Sequence, residues 1–357
     1  MRKRRATLKD VAELVGVHVS TVSRALNPET RHLITASIAQ KIAAASRALD
    51  YRPNSAAYSL RTNRTRIIGV VVPDITNSIF PPIIRGVEDA LAEHGYATLV
   101  INTDGRTERE ATVIEALASR GVDGLVVASV ERDDHTVRQL AAFGTAIVTV
   151  NRRIDDLSIS SVTNDEEDGV RMMLTHLASL GHKNIVSLAG SQNFSTGQRR
   201  QTAFLDHAGK VGISTDPSLT VFSNGFNENA GERCMEEVLA RRTDFTAVLC
   251  ANDRLAIGAI AALRRGGLLC PTDISVTGFN DMAMVDRIDP PLTTIRIQQH
   301  RVGYAAAELL YEQMRDRTRT HAPRHVIMPV ELVVRGSTAP PPRTSAAAAG
   351  PRARVRV

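Results

Sequence analysis

The strongest constraint on the fold is a regular alternation of short apolar segments with helix-length segments, which begins near residue 66. Uninterrupted runs of Val, Ile and Leu are typical of strands that are buried on both faces of a parallel sheet. Four such runs are followed, after a longer interval, by three more, and this grouping predicts two doubly wound lobes. The runs are IIGVVV at 67, ATLVI at 97, GLVVA at 124, AIVTV at 146, NIVSLAG at 184, TAVLCAND at 246 and ISVTGFND at 274.

The first fifty residues have a different, wholly helical pattern. Thr7 is a suitable N-cap with Asp10 three residues later, and Gly16 then interrupts the helix. A second helix is predicted from about residue 19 to 27, and Thr35 begins a third. Two short helices joined through a glycine, with a third behind them, predict a helix-turn-helix unit.

Two further segments are predicted to carry little structure of their own. Residues 51–65 resemble a hinge, because the helix predicted over 55–61 has only about two turns and would not be stable alone in water. Residues 339–357 have no apolar periodicity and are predicted to be a disordered tail.

Charge is distributed unevenly along the chain. The net charge is +6, yet residues 1–61 carry +7, the last nineteen residues add four arginines, and the remainder is −5. A basic head on a mildly acidic body is expected when only the head meets a polyanion such as DNA. A merely solvated basic terminus remains the alternative when charge alone is considered.

Several function classes are disfavoured. The longest apolar runs are too short to span a bilayer, and the basic N-terminus lacks the apolar stretch of a secretory signal, so we expect a cytoplasmic protein without a membrane partner. The sequence lacks the GxSxG, GxxxxGK[ST] and HExxH motifs, and neither the three cysteines nor the histidines have metal-ligand spacing. We therefore expect no enzyme activity, no cofactor and no metal site, and we assign His182 a structural role.

Specific segments resemble the LacI/GalR family of bacterial repressors, and the resemblance covers about residues 7–338. It implies a helix-turn-helix headpiece, a hinge helix, and a two-lobed α/β core like that of the periplasmic sugar-binding proteins. A secreted solute-binding protein would share the core, but it would have no use for the headpiece. The segments are TLKDVAELVGVHVSTVSRALN, YRPNSAAYSLRTNRTRIIGVVVPD, STGQRRQTAF, ANDRLAIGAIAALRRGG, ISVTGFND, PPLTTIR and ELVVRGS.

The resemblance also implies domain bounds and partners. We expect a headpiece at 1–50, a hinge at 51–65 and a core at 66–338. The core divides into an N-lobe (about 66–162 and 294–325) and a C-lobe (about 163–293 and 326–338). Family members work as dimers or dimers of dimers, so the expected partners are a second copy of the chain and a palindromic DNA operator at the nucleoid.

For DNA, the resemblance assigns base reading to Val19, Ser20 and Arg24, at the start of the second helix. Residues Thr7, Thr21, Ser23 and Asn27 are suited to phosphates, although Thr21 and Ser23 could serve only the helix itself. His18 stands where the family usually has a serine N-cap, so we expect a poor cap or a phosphate contact. Leu60 matches the family's minor-groove wedge, with Arg61 beside it, unless Leu60 only packs the hinge helix.

For the effector, ligands of such sheets bind beyond the carboxyl ends of the strands, where the lobes face each other. Arg200 is the strongest candidate because the family places an arginine after the STG turn. Asn151 and Asn280 replace the family's usual aspartates. We therefore expect a sugar as the effector but assign no particular sugar. Whether it induces release or acts as a co-repressor stays open. The predicted binding residues are Phe80, Asp104, Asn151, Phe194, Thr196, Arg200, Phe226, Asn252, Asp253 and Asn280; Asn102, Arg152 and Asp281 also lie at strand ends.

Overall fold

The computed structural model describes residues 6–27, 30–51, 59, 64–315 and 322–342, and its chain divides after Thr65 into two compact units. The small N-terminal unit is all helical, with α1 at Leu8–Val15, α2 at Val19–Leu26 and α3 at Ala36–Ala48. A 3₁₀ turn at Arg31–Leu33 precedes α3. The predicted helix-turn-helix unit is therefore confirmed.

The helix boundaries of this unit follow from local hydrogen bonds. Thr7 and Asp10 form a capping box, in which the Thr7 N–H donates to Asp10 Oδ2 at 2.7 Å. Gly16 ends α1 with a φ of 73°, a left-handed conformation that costs glycine little. The three helices close over a small apolar core formed by Val11, Ala12, Val22, Ala25, Ile42 and Ala45.

The large unit contains two parallel sheets, as predicted. The strands of this unit are β1 Ile67–Val72, β2 Ala97–Asn102, β3 Gly124–Val127, β4 Ala146–Val150, β5 Ser160–Asn164, β6 Ile185–Ala189, β7 Thr220–Phe222, β8 Ala247–Cys250, β9 Ser275–Thr277, β10 Thr294–Arg296, β11 His325–Met328 and β12 Glu331–Val333. The first parallel sheet has six strands in the order β11-β5-β4-β3-β1-β2 and the second has four in the order β7-β6-β8-β9.

Helices cover both sheets. In the first lobe, the helices Phe80–Glu93 and Gln299–Arg315 approach closely, because a Cβ at Gly86 or Gly303 would collide with the backbone of the other helix. The helices of this unit are α4 Phe80–Glu93, α5 Thr107–Ser119, α6 His135–Ala142, α7 Glu166–Ser179, α8 Ser195–Ala208, α9 Glu228–Arg241, α10 Asp253–Arg265 and α11 Gln299–Arg315.

The lobe boundaries differ from the predicted ones by a few residues. The strands β5 and β11 belong to the first sheet and continue to Asn164 and Met328, past the predicted limits of 162 and 325. The strand Thr294–Arg296 pairs antiparallel with Glu331–Val333, and a bridge links Asn280 to it, so it lies with the second lobe. The strand β5 is rich in Ser, Thr and Asn, which hid it from a search for apolar runs.

The ordered core also extends past its predicted end at residue 338. Ala339 donates its backbone N–H to Ser275 Oγ at 3.0 Å and accepts from His182 Nε2 at 2.9 Å. Backbone groups that bond to buried partners are ordered. The prediction of a disordered tail from Ala339 onward is therefore wrong for residues 339–342, and residues 343–357 lie outside the described residues. His182 has the structural role predicted for it, because its Nε2 bonds to the Ala339 carbonyl and its Nδ1 lies 2.8 Å from Thr246 Oγ1.

Candidate functional site

Helix α2 presents the residues predicted to read DNA, with Val19 and Ser20 in its first turn and Arg24 in its last. Val19, Ser20 and Arg24 are exposed, whereas Val22 of the same helix is buried in the headpiece core. Ser20 and Arg24 are four residues apart and therefore share one helix face. Among the described residues, no carboxylate pairs with the Arg24 guanidinium, so it can reach a base edge.

His18 caps this helix, contrary to the expectation of a poor cap. Its Nδ1 accepts from the backbone N–H of Ser20 at 3.2 Å and lies 2.7 Å from Ser20 Oγ. An imidazole nitrogen can therefore replace the oxygen of a serine cap. The predicted phosphate contacts Thr7, Thr21, Ser23 and Asn27 are exposed or half-buried, and Leu60 and Arg61 lie outside the described residues.

We expect Arg24→Ala to weaken binding to the cognate operator by about 5- to 150-fold, the equivalent of about 1–3 kcal/mol for a bidentate contact to guanine. Binding to random DNA should change little, because a base contact contributes nothing there. Fluorescence anisotropy with both duplexes measures the two affinities. Equal losses on both DNAs would assign Arg24 to a phosphate instead.

The large unit has a cleft between its two lobes. A cavity of about 390 Å³, within the size range of small-molecule sites, adjoins a pocket of about 30 Å³, and both are lined by Asn77, Phe80, Arg152 and Phe226. Of the ten residues predicted to bind the effector, nine line one or both of these spaces: Phe80, Asp104, Asn151, Phe194, Thr196, Arg200, Phe226, Asn252 and Asn280.

The tenth, Asp253, does not reach the cavity, so a direct ligand contact by this residue is wrong. It is completely buried, and its carboxylate accepts from Thr294 Oγ1 and from the Met282 N–H at 2.8 Å. Burial raises its pKa to about 6. Asp253 thus joins helix α10 to the strand and loop beside it. Asp281, another strand-end candidate, likewise pairs with Arg296 and Arg335.

Arg200 is buried against three partners. Its Nε donates to Glu166 and its Nη1 to the carbonyl of Ala251, while the guanidinium carbon lies 3.6 Å from the ring centroid of Phe279. Burial raises the pKa of Glu166, and the charge of Arg200 opposes that rise. Glu166 Oε1 has no hydrogen-bond partner, so this pair retains an acceptor close to the pocket. Glu166 begins helix α7 after strand β5, which no apolar run predicts, so the position of ligand residues at strand ends does not indicate it.

Aromatic and amide groups form most of the remaining lining. The rings of Phe194 and Phe226 lie 6.0 Å apart at 58°, and both face the guanidinium of Arg152. Asn252 caps helix α10 through its Oδ1 and donates its Nδ2 to the carbonyl of Phe226 at 3.1 Å, whereas Asn280 Oδ1 has no partner. Such a site can stack on an apolar face and exchange hydrogen bonds with hydroxyl groups.

An ion-pair bridge joins the two lobes beside the larger cavity, which is lined by Asp74 and Arg254. Arg254, in helix α10 of the second lobe, donates to both carboxylate oxygens of Glu228 at 2.8 and 2.7 Å and to Asp74 Oδ2 at 3.0 Å. Asp74 follows strand β1 of the first lobe. We call Asp74, Glu228 and Arg254 the interlobe bridge. Asp74 follows a strand end and is therefore predictable as a cleft residue, whereas Arg254 lies one residue past the strand-end candidate Asp253.

Glu110, in helix α5, is a buried acid that acts electrostatically on the cavity residue Arg152 and that no sequence motif indicates. It is 6% exposed, and burial raises its pKa to about 8, with Asp134 adding to the rise while Ser129 and Arg152 oppose it. The folded protein therefore keeps a proton on Glu110 up to a higher pH than the unfolded chain, in which this carboxyl has the ordinary pKa of 4.5. This stabilising difference is lost progressively as the pH rises from about 4.5 to about 8.

We accordingly expect Glu110→Gln, which is uncharged at every pH, to raise the Tm relative to the unmodified protein by several degrees at pH 8.5 and little at pH 5. The difference should grow through the interval and level off above pH 8. Thermal melting of both proteins across this range measures it. Parallel Tm curves would show that Glu110 is ionised in the folded state throughout.

Comparisons with known proteins agree with this geometry. Residues 7–54 match a family described as "Bacterial regulatory proteins, lacI family", and residues 65–335 match "Periplasmic binding proteins and sugar binding domain of LacI family". The transcriptional repressor PurR of Pasteurella multocida (strain Pm70) is 32% identical over 93% of this chain and 98% of its own length.

Solved structures give the same result for the fold. A Lac repressor dimer bound to operator and the anti-inducer ONPF is 27% identical, with a TM-score of 0.82 over 94% of this chain and 100% of that one. The CelR–cellobiose complex is also 27% identical, with a TM-score of 0.71 over 93% and 100%. No helix in the described ranges is long and apolar enough to cross a membrane. Both family matches and the full-length relatives show that this chain belongs to the LacI family of bacterial transcriptional regulators.

Proposed function

We propose that a sugar or sugar derivative, bound in the cleft between the two lobes, controls the affinity of this repressor for a palindromic operator. The observation that carries the proposal is the lining of the two adjoining spaces, to which both lobes contribute aromatic faces and amide groups. The matching family is described as a sugar-binding domain, and one similar structure is a cellobiose complex. We infer that the cleft binds its ligand without chemical conversion.

The DNA-binding form is proposed to be a homodimer in the cytoplasm, at the nucleoid. The similar Lac repressor structure is a dimer on its operator. Two copies of the exposed α2 face, related by a two-fold axis, would read two inverted half-sites. Assembly into a tetramer remains an alternative that sedimentation at micromolar concentration would distinguish.

Coupling between effector and operator must be reciprocal if one equilibrium controls both. An effector that changes operator affinity by some factor, typically about 5- to 150-fold, must have its own affinity changed by the same factor when operator is bound. The hinge prediction adds that Leu60→Ala should weaken operator binding and leave effector affinity of the DNA-free protein unchanged.

The test has two stages. Selection from a random duplex library identifies the operator, and an inverted repeat is the expected result. A thermal-shift screen of sugars, sugar phosphates and nucleosides then identifies ligands, because a molecule that binds only the folded state raises its Tm. Each hit is titrated against the operator complex. Failure to select any preferred duplex would refute operator binding, and a screen in which no sugar, sugar phosphate or nucleoside raises the Tm would refute the sugar class.

A further inference from the structure

Arg152 is a buried side chain that lines both cavities and has few polar contacts. Only 8% of the residue is exposed, and its guanidinium carbon lies 3.7 Å from the ring centroid of Phe194 and 5.5 Å from that of Phe226. Its side chain makes one long hydrogen bond, from Nη1 to the carbonyl of Ser129 at 3.4 Å, and its Nε has no partner. The guanidinium therefore retains unused donor capacity beside the cavity.

The other arginines of the cleft are neutralised. Arg200 pairs with Glu166, and Arg254 belongs to the interlobe bridge. In residues 64–315 and 322–342 no carboxylate lies within ion-pair distance of Arg152. The acid that acts on it most strongly through space is Glu110, whose burial raises its pKa to about 8, so this acid is protonated at neutral pH.

The acidic residues that line the larger cavity are already engaged. Asp74 accepts from Arg254, and Asp104 forms an ion pair with Arg109. The interlobe bridge holds two carboxylates for one arginine, but all three of its groups have partners. Among the described residues, the charge that lacks an ion-pair partner in this part of the cleft is that of Arg152, and it is positive. A buried cation without a counter-ion is costly, and two aromatic faces offset only part of that cost. An anionic ligand group at this position would supply the missing counter-charge.

We propose that the effector carries an anionic group, a phosphate ester or a carboxylate on a polyhydroxylated body, and that Arg152 binds this group. This inference rests on the proposed function and narrows its ligand class. A planar guanidinium can donate two parallel hydrogen bonds to either anion. The hydroxyl groups would meet amides such as Asn280, whose Oδ1 lacks a partner, while the rings of Phe80 and Phe226 cover the carbon skeleton.

The test compares matched pairs of neutral and anionic probes by thermal shift and titration calorimetry. The phosphate-ester arm sets glucose 6-phosphate against glucose and ribose 5-phosphate against ribose, and the carboxylate arm sets glucuronate against glucose and galacturonate against galactose. We expect at least one anion to raise the Tm more than its neutral parent, and the arm that contains it identifies the anion. Arg152→Met should lower the affinity for that anion by about 10- to 100-fold, the loss typical of a charge-assisted hydrogen bond.

Two further variants control this result. Arg152→Lys keeps the charge without the planar geometry and should restore part of the affinity, whereas Arg120→Met removes an exposed arginine at the end of helix α5 and should change nothing. The inference is overturned if no anion exceeds its neutral parent, or if folded Arg152→Met keeps full affinity for the anion. A neutral sugar that binds and changes operator affinity would overturn the anionic class alone and leave the proposed function standing.

A pH series gives a readout that a merely structural arginine would not produce. Above about pH 8 Glu110 ionises and supplies the counter-charge itself, so affinity for the anion should fall. Glu110→Gln should remove this fall. The other charged groups that act on this pair are Glu131 and Asp134 near helix α6 and Arg200 in helix α8. If the Tm curves show that Glu110 titrates in the folded protein and the two pH profiles of anion binding are nevertheless identical, the assignment of Arg152 as the anion-binding residue is contradicted.

Discussion

A chain lacking residues 1–65 is expected to lose operator binding by at least about 10³-fold, since specific affinity typically exceeds non-specific affinity by that factor or more. The exposed α2 face and most of the basic excess lie in the removed segment. The remaining unit has its own sheets and apolar cores and should fold without the headpiece. Its effector-dependent thermal shift should equal that of the full chain.

Electrophoretic mobility shift and thermal melting of the truncated and full chains measure both properties. Arg24→Ala in the full chain is the matched control, because it should lose sequence preference while keeping the headpiece fold. Operator binding at full strength by the truncated chain would show that the DNA-binding surface lies elsewhere.

The second large effect is expected at Arg200. Arg200→Ala leaves Glu166 buried without its cation, and loss of one partner of a buried pair typically destabilises a protein by about 3–5 kcal/mol. The variant should also lose its response to effector and keep the operator affinity of the unliganded protein, because the arginine lines the smaller pocket. Urea unfolding and operator titration with and without effector measure the two losses.

A double substitution separates the two consequences. Arg200→Met with Glu166→Gln removes both charges, so most of the stability should return because no unpaired buried ion remains. The response to effector should stay absent. A folded double variant that still responds normally to effector would exclude Arg200 from the ligand site.

Sequence patterns predicted the two parallel sheets and the helical headpiece because each is encoded locally. Strands such as Ile67–Val72 are buried on both faces and therefore read as continuous apolar runs. The same reasoning could not find β5, Ser160–Asn164, whose Ser, Thr and Asn side chains are buried by tertiary contacts. The lobe boundary was displaced for this reason.

The site was predictable only to the level of which chain segments converge. The strand-end rule brought Phe80, Asn151 and Asn280 to one cleft, but it could not tell a carboxylate that faces the ligand from one that braces a loop, as Asp253 does. That difference depends on side-chain direction and on partners distant in sequence. The counter-charge of Arg200 and the lack of one at Arg152 are likewise visible only in three dimensions.

The interlobe bridge makes lobe closure sensitive to ionic strength. Its side chains are partly exposed, at 17% for Arg254, 40% for Asp74 and 39% for Glu228, so dissolved salt can screen them. Exposed ion pairs contribute only about 0.2–1 kcal/mol, and added salt removes part of that. If the ligand is bound by the closed lobes, even an uncharged sugar should bind slightly less tightly as salt rises. The osmotic state of the cell would then adjust the effector concentration at which the regulator responds.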